Sequence, residues 1–162
     1  MTDLAAEVAA LTKRLQALED QREIIQLIAK YGPAVDSLSG EAVIDLWTED
    51  GIYDVGGMQP FIGTDVVDVV DAAIHRQYVS AGCAHVQGLP LVHVDGDRAV
   101  ATSVSRVYVR DGDQWLVERV SANRWELART PAGWRATYRV NRLLNGSLEA
   151  QELLRSGLEP EG

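Results

Sequence analysis

"AHVQGLPLVHVDGDRAVATS", residues 84–103, marks the point where the chain changes period. Upstream, apolar residues recur at helical spacing; from here they alternate, as in a strand with one buried face. Asp95-Gly96-Asp97 is a turn signal between two extended runs. Residues 85–94 therefore read as one strand and residues 98–110 as the next. The pattern repeats downstream. Asp111-Gly112-Asp113 closes the second strand, residues 114–128 form a third, and Thr130-Pro131-Ala132-Gly133 turns it. The fourth, residues 134–143, alternates Trp134, Ala136, Tyr138 and Val140 against Arg135, Thr137, Arg139 and Asn141. Asn145-Gly146 then leads into a short helix through Leu154.

The first half is helical. Leu4, Val8, Leu11, Leu15 and Leu18 alternate spacings of four and three, an amphipathic helix with a heptad-like seam. Two readings stand: a helix lying on its own domain, or a contact with another subunit. From Asp20 a second helical pattern places Ile24, Ile25, Leu27, Ile28, Tyr31 and Val35 on one broad face. Pro33 removes a backbone donor, which predicts a kink or break near Gly32. Ser39 is a candidate cap for a third helix carrying Val43, Leu46 and Trp47. "EDGIYDVGGMQPFIG" (49–63) reads as a hairpin turning at Gly56-Gly57. Thr64 is a candidate N-cap for a fourth helix with Val66, Val67, Val69, Val70 and Ile74 on its apolar side.

Helices followed by a meander of long strands argue for an α+β domain with an antiparallel sheet. The organisation expected is an amphipathic helical extension over 1–19, one domain over 20–156 and a loose tail over 157–162. At 162 residues the chain is long enough to bury about 68–70% of its unfolded surface. Its formal net charge of −9, with no basic stripe, disfavours nucleic acid and anionic membrane as partners. No apolar run reaches the roughly 18 residues a membrane span needs. The N-terminus has no secretory pattern, and Cys83 has no cysteine to pair with, which suits a cytoplasmic setting.

Three segments together resemble the SnoaL-like family of the nuclear-transport-factor-2-like superfamily. They are "LEDQREIIQLIAKYGPAVDSLSGEAVIDLWTEDGIYDVGG" (18–57), "AHVQGLPLVHVDGDRAVATS" and "RWELARTPAGWRATYRVNRLLNG" (124–146). The resemblance covers roughly residues 18–155. It implies a cystatin-like fold: a cone-shaped, curved antiparallel sheet wrapped by N-terminal helices. Within the family the chain looks nearest the branch of scytalone dehydratase, hexachlorocyclohexane dehydrochlorinase and bile acid 7α-dehydratase. There, a helix-borne Asp and a strand-borne His form a catalytic pair inside the cone. The matching positions are Asp36 and His85; Tyr31 matches a tyrosine that some members place five residues before the Asp. His93 is the candidate for a second histidine. The downstream carboxylate of the bile acid enzyme is missing, with Tyr108 or Arg106 near its place.

Such a pair has a clear chemical use. An imidazole takes a proton near neutral pH, and a carboxylate on its other nitrogen fixes the tautomer and steadies the imidazolium. Tyr31 is then a candidate donor to a developing oxyanion or a leaving group. Taken singly, Asp36 also reads as a helix cap, His85 as a core residue and Tyr31 as packing. His75, at a helix end, reads as facing solvent or favouring the helix C-terminus. Cys83-Ala84-His85 is too small a cluster for zinc, and no metal or organic cofactor is implied. Trp47, Met58, Phe61, Leu89, Tyr108, Trp125 and Tyr138 are the candidate substrate-binding residues, with Trp115 and Trp134 as further candidates for an apolar pocket. The resemblance implies a hydrophobic polyketide-, steroid- or terpenoid-like ligand and a homo-oligomer, dimer or trimer. Three functions compete: a cofactor-independent lyase or isomerase, a non-catalytic ligand-binding module, and the small structural subunit of a ring-hydroxylating dioxygenase.

Overall fold

The computed structural model describes residues 3–158. Helix α1 runs unbroken from Leu4 to Asp36, 33 residues or about 50 Å at 1.5 Å per residue. Asp3 caps it by accepting from the Ala5 N–H at 3.1 Å. The break expected at Gly32-Pro33 does not occur: α1 continues through Pro33 to Asp36. The helix ends three residues after Pro33 in a Schellman closure. Ser39 N–H donates to the Ala34 carbonyl and Leu38 N–H to that of Val35, with Leu38 at φ 55°.

The first sixteen residues of α1 do not lie on the domain. Every residue from Asp3 to Glu19 is exposed, including the seam of Leu4, Val8, Leu11, Leu15 and Leu18. Of the two readings of that seam, packing on its own domain is therefore excluded. Burial starts at Asp20, which accepts from Arg129 at 2.7 Å and from Trp134 Nε1 at 3.2 Å. From there Ile24, Leu27, Ile28, Tyr31 and Val35 pack on the sheet.

Short elements follow. Helix α2 (Gly40–Ile44) stops before Leu46 and Trp47; Trp47 instead opens strand β1 (Trp47–Asp54). The expected hairpin forms with β2 (Phe61–Ile62), pairing Tyr53 with Phe61. The single helix expected after Thr64 is three pieces: a 3-10 segment (Gly63–Val67), α3 (Asp68–Asp71) and α4 (Ala73–Ala81). The extended run 85–94 is also two strands, β3 (Cys83–Gln87) and β4 (Leu91–Asp95). Gly88-Leu89-Pro90 divides them, since proline cannot donate to a ladder. Both pair antiparallel with β5 (Arg98–Asp111), which pairs in turn with β6 (Gln114–Thr130). Then come β7 (Gly133–Leu143) and α5 (Leu148–Arg155), capped by Ser147.

The sheet order is β2-β1-β7-β6-β5-β3, with β4 also on β5. All pairs are antiparallel except β1 with β7, which is parallel. The result is the expected α+β class: a curved, unclosed sheet with α1 across its hollow face. The core contains Ile24, Ile28, Val35, Trp47, Trp125, Leu127 and Trp134. A bulge shifts the β6–β7 register between Glu126 and Leu127, leaving Thr137 of β7 without a partner. Beyond it the buried parity of β7 reverses. Trp134 and Ala136 are buried before the bulge, Arg139 and Asn141 after it.

One glycine sets how closely helix and sheet approach. A Cβ on Gly32 would lie 2.0 Å from the His85 carbonyl oxygen of β3. Gly32→Ala must push β3 away, and overpacking of this kind costs about 1–3 kcal/mol; a lower urea midpoint is the expected readout. Asp20 gives a pH test. Its hydrogen bond from Arg129, joined by those from Trp134 and Gln16, holds its carboxyl below the usual range despite burial. Its contribution is present above the unfolded carboxylate pKa and is lost as pH falls through the lower folded value. Asp20→Asn should cost about 1–3 kcal/mol at pH 7 and progressively less toward pH 3.

Candidate active site

Asp36 is the last residue of α1, where the helix dipole disfavours a carboxylate. Strand β3 offsets that penalty. The His85 backbone N–H donates to Oδ2 at 2.7 Å, and His85 Nδ1 donates to Oδ1 at 2.6 Å. The Cys83 thiol also donates to Oδ1, at 3.4 Å. Burial pushes the Asp36 carboxyl up, but the bonds from the His85 ring and backbone outweigh it and leave the carboxyl below its usual range. With Nδ1 occupied, the neutral ring leaves Nε2 free of hydrogen.

His85 lines a cavity of about 210 Å³ between the hollow of the sheet and helices α1 and α4. Tyr31 lines it too, buried, with its ring edge-on to Tyr53 and Trp125. Burial and the neighbouring Tyr53 raise the Tyr31 hydroxyl above its ordinary value, so it stays protonated and able to donate. The structure thus brings Asp36, His85 and Tyr31 together. Of the seven substrate-binding candidates, Met58 and Phe61 also line the cavity.

The other five do not line it. Trp47 and Trp125 lie one layer behind, 5.9 Å apart between ring centroids, in the core. Tyr138 is turned away by the β7 bulge and donates to Asp54 at 3.4 Å. Tyr108 sits on β5 beside the lining residue Val107, on the opposite face of the strand. Leu89 is 84% exposed in the β3–β4 connection. Trp115 is exposed near the β5–β6 turn, and Trp134 is tied to Asp20. His93 does not approach His85; its Nε2 donates to the Gly157 carbonyl at 2.8 Å.

The second histidine of the cavity is His75. The expectation that it faces solvent is wrong: it is 6% exposed, and its Nε2 donates to the Val35 carbonyl at 2.9 Å. That carbonyl belongs to the open end of α1, one residue before Asp36. The His75 and His85 rings are 5.3 Å apart. Its helical spacing with Ala72 and Tyr78, both lining residues, was the available signal. Arg139 and Asn141, from β7 beyond its bulge, also line the cavity.

Asp36, Cys83 and His85 place possible ligand atoms within 4.8 Å of one another. They are also joined to one another by hydrogen bonds. Burial, with the hydrogen bond to and charge of Asp36, pushes the Cys83 thiol up to about 12.

With this geometry in view, comparison identifies the class. The SnoaL-like domain model matches residues 16–140, and the chain belongs to the SnoaL-like family. Its fold is the NTF2-like, cystatin-like fold, a small-molecule-binding one. An NTF2-like protein with a cystatin-like fold from Novosphingobium aromaticivorans is 45% identical, with a TM-score of 0.89, covering 95% of this chain and 98% of its own. A second protein from that organism, provisionally assigned as an aromatic ring hydroxylase, is 25% identical with a TM-score of 0.62; the match covers 78% and 90%. A Catenulispora acidiphila protein in complex with S-DNPA shares the fold at 21% identity and a TM-score of 0.65, over 87% and 98% of the two chains. No curated protein matches. Among the described residues, no helix is long and apolar enough to cross a membrane.

If Asp36 holds the thiol of Cys83 protonated, Asp36→Asn should lower the thiol pKa. Iodoacetamide alkylation at pH 8.5 should then run faster, by about threefold for each unit the pKa falls toward 8.5, because a tenfold gain in thiolate is partly offset by its lower nucleophilicity. An unchanged rate in a folded variant would show that burial alone silences the thiol.

Proposed function

We propose that the protein is a cofactor-independent lyase or isomerase acting on a small ring compound. The observation that carries this is the 2.6 Å contact between His85 Nδ1 and Asp36, which leaves Nε2 as the proton acceptor in the cavity. His85 removes a proton from carbon next to a carbonyl or opposite a leaving group. Asp36 holds the ring and stabilises the imidazolium that forms. Tyr31 donates to the oxygen on which charge develops. Returning the proton at another carbon gives isomerisation; loss of hydroxide as water, or of halide, gives elimination. His75, held by its Nε2 bond to the Val35 carbonyl, is a second imidazole lining the same cavity. Cavity size supports a one- or two-ring substrate, since a dry cavity of roughly 150 Å³ holds benzene. The exposed seam of α1 supports a homo-oligomer.

Proton abstraction is measurable before the natural substrate is known. In D₂O, the protein should speed hydrogen–deuterium exchange at C1 of 2-tetralone, followed by proton NMR. His85→Ala should lower that rate by about 10²–10⁴-fold with the fold intact, and Asp36→Asn should also lower it. Bound 2-tetralone with no exchange above buffer would leave a binding module and end the enzymatic reading.

A further inference from the structure

Arg139 is 1% exposed, yet among the described residues it has no carboxylate within ion-pair distance. Two of its nitrogens are used. Nε and Nη2 donate to Asn123 Oδ1 at 3.2 and 2.8 Å. Nη1, with two N–H groups, meets no acceptor. The guanidinium carbon instead lies 4.1 Å from the ring centroids of Tyr31 and Trp125 and 4.5 Å from that of Tyr53. Three aromatic faces and one amide oxygen stabilise a cation, but they leave its charge uncancelled. A buried charge without a counter-charge is uncommon, because losing water costs several kcal/mol per ion.

The surroundings have the same sign. No Asp or Glu is among the residues lining the cavity, whereas Arg119 and Arg139 are; Arg106, at its edge, is exposed and shares the outer face of β5 with Tyr108. This occurs in a chain with 24 acidic and 15 basic residues, so the bias is local. Asp36 lies behind His85, bonded to its ring and backbone N–H, and is not itself a lining residue. Val55, Met58 and Phe61 give the same cavity an apolar wall.

We infer that the cavity takes an organic acid: a one- or two-ring compound whose carboxylate pairs with Arg139 while its ring lies against the apolar wall near His85. The aromatic enclosure is then a pre-built seat for a planar cation whose last partner is the ligand. The inference rests on reading this cavity as the substrate site, but not on turnover there.

Calorimetric titration of the full chain with 2-naphthoate and with its neutral isostere 2-naphthamide tests it at pH 7.5. A charge-assisted hydrogen bond contributes about 1.5–3 kcal/mol, so naphthoate should bind roughly 10–100-fold more tightly than the amide. Arg139→Met should erase that preference, and His85→Ala should retain it. Equal affinities in the unmodified protein, or failure of 2-naphthoate to bind, overturn the inference whether or not Arg139→Met folds. The 2-tetralone experiment is independent. Exchange without anion preference sinks the acid and keeps the base; anion preference without exchange does the reverse.

Discussion

A carboxylate at the wrong end of a helix dipole is held there by a strand. The Asp36–β3 hydrogen bonds are the constraint on which the site depends. They join two segments 49 residues apart, and they form only because Gly32 lets the His85 carbonyl come against the helix backbone. The hydrogen bond that fixes the imidazole tautomer and the close packing that seats β3 are therefore parts of one contact. A larger side chain at position 32 would disturb both.

The rest of the cavity is assembled by departures from regular geometry. The β7 bulge turns Arg139 and Asn141 inward and sends Tyr138 toward Asp54. The breaks between the 3-10 segment, α3 and α4 let the chain wrap the open side, so that His75 reaches the exposed carbonyl end of α1. Arg139, Asn141 and His75 enter the hollow by local irregularities, whereas Tyr31 and His85 come from the regular α1 and β3. The arrangement concentrates positive charge and aromatic surface in one place within an otherwise acidic chain.

The sequence made much of this legible. Alternation and Asp-Gly-Asp turns located β5, β6 and β7 within a few residues, since long strands with one buried face carry a strong period. Asp36 and His85 were legible as a pair only through the family resemblance, because each alone reads as a cap or a core residue. Arg139 was hidden because strict alternation grouped it with Arg135 and Thr137, and a one-residue bulge has no compositional mark. His75 was hidden because α4 is short and its apolar face is interrupted. The Pro33 break failed to appear because only three helical residues follow the proline, which leaves little helix beyond it to break away.

Helix α1 combines two environments in one continuous rod. Its second half is clamped by core packing up to Asp36, whereas its first half has solvent on every side. Helical hydrogen bonds in water alone are marginal, so the two halves open on different scales. Amide exchange and protease cutting in an isolated protomer will therefore rise steeply somewhere before Asp20, with no change of secondary structure to mark the boundary. The segment that orients the imidazole is insulated from fraying at the far end by the Asp20–Arg129–Trp134 clasp between them.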